Sequence, residues 1–247
     1  MWKKILLALV IVFLIAIAGF VIWAETPLGP MPEAEAALQS SATVQVETEP
    51  WYTFTPTGEV KETGLILYPG GRVDPRSYAP TARAIAEAGY PVVLVPMPLN
   101  LAVFGAGKAA DVIAANPQVT RWAIGGHSLG GAMAANFIAK NPEAMDGLAF
   151  WAAYPASSDD LSGFDTLAVS SISATNDGLA TPDQIDASRP LLPASTKWLP
   201  IQGGNHAQFG WYGPQPRDGQ ATISREEQQV QVVEATLALL EDVDARE

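Results

Sequence analysis

Ser128 stands in "GGHSLGG" (125–131), with the apolar run "RWAI" before it and the alanine-rich "GGAMAANFIAK" after it. A serine hydroxyl attacks an acyl carbonyl when a strained strand-to-helix turn holds it exposed and a neighbouring base takes its proton. The G-x-S-x-G spacing alone arises by chance in a glycine-rich chain, so context must decide. Here a strand-like run leads in and a helix-like run leads out, and the glycines at 126 and 130 allow the two to approach closely. The chain has 2 histidines. His127 fills the variable slot of the motif, where successive side chains diverge, and reads as structural. His206, in "QGGNHAQFG" just past another strand-like run, is then the candidate base. The base must be neutral, so activity should fall as pH drops. Asp177, in the turn "TNDG" after "LAVSSISA", is the candidate acid that orients it. Asp183 in the same loop is its rival, whereas Asp159, Asp160 and Asp165 precede that strand and fit less well.

An acyl-transfer site also needs donors for the developing oxyanion. The backbone N–H of Leu129, next after the serine, supplies one. The loop "LYPGGRVDP" offers the N–H of Gly71 or of Arg72 as the other, with a plain Pro-Gly-Gly turn as the competing reading. Two segments are candidates for the substrate pocket. "MPLNLAVFG" carries Leu99 and Phe104, and "AQFGWYGPQPRDGQAT" carries Phe209, Trp211 and Tyr212. Three aromatics are too much apolar surface for a solvated loop, so they fold back, onto the pocket or onto the core.

The elements that must position these groups can be read from periodicity. "TVQVET" and "WYTFT" suggest an antiparallel edge hairpin. Continuous apolar runs then alternate with helix-like stretches. The strand candidates are 64–69, 91–97, 120–126, 147–153, 167–174 and 196–203. The helix candidates are 78–89, 107–116, 129–141 and a last helix opening at Ser224 and Glu227, a capping box, with Val230, Val233, Leu237 and Leu240 on one face. Strands that are apolar on both faces imply an α/β architecture, a parallel sheet covered on each side, with chemistry at the carboxyl ends of the strands.

With 247 residues, 48% of them hydrophobic, the chain can bury one sizeable core. A net charge of -12 repels a phosphate backbone, so nucleic acid is not an expected partner. The absence of cysteine removes disulfides, thiol catalysis and cysteine-based zinc sites. No cofactor and no metal site are expected. Lys3 and Lys4 precede an uncharged run from Ile5 to Ala24, bracketed by Trp2 and Trp23. Twenty helical residues span about 30 Å, the thickness of a hydrocarbon core. Residues 1–24 therefore read as a single-pass signal anchor with a cytoplasmic N-terminus and an extracytoplasmic domain; secretion after cleavage at Ala24 is the alternative. Residues 25–42, rich in Pro, Ala and Glu, read as a spacer with little to bury, carrying a short helix around "EAEAAL", and 43–247 as the domain.

Taken together, "GGHSLGGAMA", "YPGGRVDP", "ATNDGLA" and "GGNHAQFG" resemble the elbow, oxyanion loop, acid turn and histidine loop of the α/β-hydrolase superfamily, in the chain order serine, acid, histidine. The similarity runs over about residues 43 to 242 and is greatest to small dienelactone-hydrolase-like members with an N-terminal membrane segment. It implies an eight-stranded, mostly parallel sheet with helices on both faces and a serine hydrolase of the carboxylesterase type. Such an enzyme cleaves small-molecule acyl substrates through Ser128, His206 and Asp177. The segment 152–166 is too short for a large cap domain. Two other readings stand beside it: a non-catalytic, membrane-tethered binding module on the same fold, and acyl transfer to an acceptor other than water.

Overall fold

The structure is a computed structural model and describes residues 2–246. Eight strands form one sheet: β1 (Val44–Glu47), β2 (Tyr52–Pro56), β3 (Thr63–Tyr68), β4 (Val92–Leu94), β5 (Arg121–His127), β6 (Gly147–Trp151), β7 (Ala168–Ala174) and β8 (Lys197–Ile201). Their spatial order is β1-β2-β4-β3-β5-β6-β7-β8. β1 and β2 form the antiparallel hairpin at one edge, β2 runs antiparallel to β4, and every pairing from β4 to β8 is parallel. Eight mostly parallel strands, without a large cap, is the architecture the motifs implied.

The central strands are buried throughout, and their alternation feeds two cores rather than one core and solvent. Leu65 and Leu67 of β3, Val92 and Leu94 of β4 and Trp151 of β6 face one core. It is closed by α3 (Ala79–Glu87) and α7 (Arg225–Asp244) through residues such as Ile85, Val232 and Leu240. Ile66 and Tyr68, Val93, Ile124, Leu148 and Phe150 face the other, closed by α4 (Ala109–Ala115) and α5 (Leu129–Lys140) through Val112, Ala134 and Ile138. β8 is the opposite edge. It is partly exposed and carries Pro200, a residue that edge strands tolerate because a donor is not needed on the solvent side.

α7 begins at the expected capping box: the Ser224 hydroxyl accepts the Glu227 N–H, and the Glu227 side chain accepts the Ser224 N–H. Its buried face is rotated from the expected one. Val230 is exposed and Val233 and Leu237 only half-buried, whereas Gln228, Gln229, Val232, Thr236, Leu239, Leu240 and Val243 are buried. The three polar residues reach the core because each finds partners there. Gln228, for example, accepts the Asn205 N–H at 3.0 Å and donates to the Asn205 carbonyl at 2.9 Å.

At the N-terminus, α1 (Trp2–Ala24) projects with its apolar side chains exposed and is long and apolar enough to cross a membrane. The stretch after it does not behave as a spacer with little to bury. Ala24 and Ala34 are completely buried, Leu28 bridges Val73, and the Met31 N–H donates to the Trp211 carbonyl at 2.7 Å. The short helix α2 (Pro32–Ala36) lies within this packed segment, and Arg83 donates from below to the carbonyls of Ala37 and Gln39. Alanine-rich composition hid this: small side chains bury well once a surface is provided.

Candidate active site

Ser128 sits at the carboxyl end of β5 and caps the start of α5, with φ 52° and ψ -121°. A non-glycine residue at such angles is strained, and the surrounding backbone must impose the turn. The glycines that flank it permit that. A Cβ on Gly126 would lie 2.5 Å from the Gly131 nitrogen, and one on Gly130 would lie 2.5 Å from the Pro69 carbonyl oxygen. Strand, helix and the β3 loop therefore meet more closely than any side chain allows. Ser128 opens into a pocket of about 390 Å³ with mainly apolar walls, among them Leu129, Ala152, Tyr154, Leu179 and Ala180. Ala152 is also held at positive φ, 47°.

Asp177 and His206 come together in the loops after β7 and β8. Both side chains are buried, and His206 Nδ1 donates to Asp177 Oδ2 at 2.8 Å. Oδ1 of the same carboxylate accepts the N–H groups of Leu179 and Ala180, each at 2.7 Å. With its proton on Nδ1, the His206 ring presents a lone pair at Nε2, which is buried and has no hydrogen-bond partner among the described residues. Ser128 Oγ and His206 Nε2 are thus not hydrogen-bonded to each other in this arrangement. The rival Asp183 is exposed in the first turn of α6 (Pro182–Ala187), where it faces the positive end of that short helix.

A second carboxylate holds these loops together. Asp218 accepts four backbone N–H groups: Gly178 at 3.2 Å, His206 at 3.1 Å, Ala207 at 2.8 Å and Gly219 at 2.8 Å. It lies 40 residues beyond Gly178 of the acid turn and 12 beyond His206, and it bridges the two loops. Nothing in the motif pattern marked it.

His127 is structural, and its environment explains how. Tyr78 OH accepts the Gly70 N–H at 3.0 Å, and its own proton has His127 Nδ1 as acceptor at 2.8 Å. This assigns the His127 proton to Nε2. The ring lies 4.4 Å from that of His206 and stacks on Phe209 at 5.8 Å. Burial, with the neighbouring His206 as a second cause, holds His127 well below the usual imidazole pKa, so it stays neutral. Tyr78, which ties the β3 loop to the residue preceding Ser128, was not singled out in the sequence either.

The other sequence candidates divide. Leu129 and Gly71 adjoin: a Cβ on Gly71 would lie 3.1 Å from Leu129 Cδ2. The Gly71 N–H has no acceptor among the described residues, whereas the Arg72 N–H is already given to the Asn100 carbonyl at 2.8 Å. Phe209, Trp211 and Tyr212 are buried in the fold and form no part of the pocket wall. Leu99 and Phe104 are also outside it, in the loop beside the end of α1. Of the two readings of the long aromatic loop, packing on the core is the one realised.

Over residues 64–230 the sequence matches the alpha/beta hydrolase family. The chain belongs to that family. Solved structures share its hydrolase fold at low sequence identity. A dienelactone hydrolase from Anabaena variabilis is 17% identical with a TM-score of 0.58, over 81% of this chain and 97% of that one. A thermophilic esterase from Thermogutta terrifontis is 12% identical with a TM-score of 0.58, over 84% and 100%. A carboxylesterase from Mesorhizobium loti is 15% identical with a TM-score of 0.55, over 79% and 99%. No curated protein matches the chain in sequence. Within the alpha/beta hydrolase fold the strained serine, the carboxylate-paired imidazole and the unspent Gly71 amide all lie at the carboxyl ends of strands, where ligands of such sheets bind.

Proposed function

We propose that the chain is a serine hydrolase of ester-type bonds. Ser128 attacks the acyl carbonyl and His206 Nε2 receives its proton. Asp177 keeps the imidazole in the tautomer required and stabilises the imidazolium as it forms. The N–H groups of Leu129 and Gly71 hold the oxyanion. Water then releases the acyl group from the enzyme. One observation carries the reading: a buried carboxylate fixes the His206 tautomer and leaves Nε2 as an orphaned acceptor, in a ring 4.4 Å from that of His127, the residue before a serine strained onto an apolar pocket. An unpaired buried acceptor costs about 1–3 kcal/mol, a cost that a reacting hydroxyl would relieve. Catalytic hydrogen bonds commonly form or tighten only with substrate in place, so a serine and an imidazole not yet hydrogen-bonded accord with a resting site. A binding module would have no use for such an arrangement. The pocket volume, near the low end for ligand sites, favours a small acyl group.

The same reading keeps α1 as an uncleaved anchor, with Lys3 and Lys4 on the cytoplasmic side and the catalytic domain outside. Its support is that the end of α1 is built into the fold: Ala24 is buried, and the Trp23 and Ala24 carbonyls accept from Arg72 Nε at 2.7 Å and Asn100 Nδ2 at 3.0 Å, partners that cleavage after Ala24 would strip away. A serine-directed fluorophosphonate should label the purified chain, and Ser128→Ala should abolish labelling and ester turnover together. Undiminished labelling of that variant would refute the assignment, and product analysis with added alcohols separates hydrolysis from acyl transfer.

A further inference from the structure

The end of α1 is bonded to the rim of the site. An α-helix leaves its last four carbonyls without intrahelical donors. Here all are satisfied: Val21 by the Glu25 N–H at 2.8 Å, Ile22 by the Thr26 hydroxyl at 3.0 Å, Trp23 by Arg72 Nε at 2.7 Å and Ala24 by Asn100 Nδ2 at 3.0 Å. The Arg72 guanidinium also donates to the Thr26 carbonyl at 2.6 Å and lies 4.3 Å over the Trp23 ring, a cation at the negative end of the helix. Arg72, Leu99 and Asn100 all have positive φ (56°, 54° and 52°), so strain is concentrated where the two loops grip the helix. No free tether separates α1 from the domain.

The loop 98–105 that carries Asn100 also carries exposed apolar side chains. Outside α1, four large hydrophobic residues are exposed among the described residues, Val60, Val103, Phe104 and Val230, and two of them are in this loop. The Phe104 ring packs edge-on against Phe20, 6.4 Å between centroids. Phe20 lies four residues before the helix end, about 6 Å down its axis. Val103 and Phe104 therefore hang at the level of the last turn of α1, and their surface continues that of the helix. The same loop reaches the site: Leu101 Cδ2 lies 3.7 Å, and Leu129 Cδ2 3.1 Å, from the position of a Cβ on Gly71.

Resting on the reading of α1 as a membrane span and of Ser128 as a nucleophile, we propose that loop 98–105 docks in the bilayer surface beside α1. It thereby holds the mouth of the Ser128 pocket against the membrane, and the enzyme takes esters resident in the lipid surface. The occupant of the apolar patch is lipid because the patch is continuous with the spanning helix and rigidly joined to it.

The chain has no cysteine, so single cysteines can be placed at will. In phosphatidylcholine vesicles holding the full chain, a fluorophore on Val103→Cys should be quenched by lipid-borne nitroxide and shielded from aqueous iodide, as one on Val12→Cys should be. On Val230→Cys the pattern should be reversed. Quenching by lipid at Val12 with Val103 open to iodide overturns the docking and leaves the span standing; both open to iodide removes both. Neither readout involves Ser128. For the substrate, Val103→Asp should lower turnover of a vesicle-borne ester of a short acyl group and a long-chain alcohol about tenfold, equivalent to about 1.4 kcal/mol. Turnover of a water-soluble short-chain ester should be unchanged. Equal losses on both esters, or none on either, overturn the substrate assignment.

Discussion

Replacing Asp177 by asparagine should reverse the tautomer of His206 without moving the ring. Oδ1 of Asp177 accepts two backbone N–H groups at 2.7 Å, and Oδ2 faces His206 Nδ1 at 2.8 Å. An asparagine must keep its oxygen where the two donors point, since the flipped amide would set its NH₂ against them. The amide nitrogen then faces Nδ1 and donates to it, and the imidazole proton moves to Nε2. The lone pair that should receive the serine proton is gone. The number of hydrogen bonds is preserved, so stability should change by only about 1 kcal/mol. Loss of a correctly oriented base should cost roughly 10⁴ in kcat, or about 5.5 kcal/mol of barrier. Fluorophosphonate labelling rates and ester kinetics measure the loss, and nitrogen NMR reads the tautomers without ambiguity because the chain has 2 histidines. In the wild type His206 should be protonated on Nδ1 and His127 on Nε2; in Asp177→Asn both should be on Nε2. A variant with the reversed tautomer that still labels within about tenfold of wild type would show that His206 is not the base, and the mechanism would fail.

Three further outcomes test the surroundings of the site. His127 is held neutral below the usual imidazole pKa in the folded state, whereas in the unfolded chain it takes up a proton near 6.5. Stability should therefore be full above that pH and fall as pH drops below it, by up to about 1.4 kcal/mol per unit, until the native pKa is reached. Urea midpoints between neutral and mildly acid pH should show this slope, and His127→Asn should lose it. Tyr78→Phe removes the acceptor for the Gly70 N–H and the donor to His127, and should cost about 2 kcal/mol in urea unfolding and lower kcat more than it raises KM. Asp218→Ala strands four backbone N–H groups and should cost about 3 kcal/mol or more, with fluorophosphonate labelling slowed because the acid turn and the histidine loop are no longer fastened together.

What the sequence disclosed, and what it withheld, follows from the range of the interactions. The strands were legible because runs such as Leu65 to Tyr68 are apolar at every position, which only a doubly covered sheet requires. His206 was singled out by elimination, there being one other histidine, and Asp177 by its place after a strand; the fold pairs the two by a hydrogen bond of 2.8 Å. The buried face of α7 was misread because a periodicity argument counts Val230 and overlooks Gln228, Gln229 and Thr236. Those residues are buried through bonds to Asn205, Gln208, Thr81 and Trp151, which no local pattern records. Asp218 was invisible for the same reason: its partners are backbone amides that only the folded chain assembles.

Arg72 shows how a motif can be located and its use mistaken. The loop "PGGRVDP" was read as a source of oxyanion donors, and its glycines made the Gly71 and Arg72 amides equivalent on paper. In the fold they are not. The Arg72 amide is consumed by Asn100 and its guanidinium by the end of α1, and these bonds fix the peptide on one side of Gly71. Tyr78 fixes the peptide on the other side through the Gly70 N–H. The Gly71 amide between them is immobilised and has no acceptor among the described residues. A donor that does not reorganise when negative charge develops is worth most in the transition state. The same bonds that commit Arg72 elsewhere are therefore what would make its neighbour effective, and α1 would become part of the preorganisation of the site.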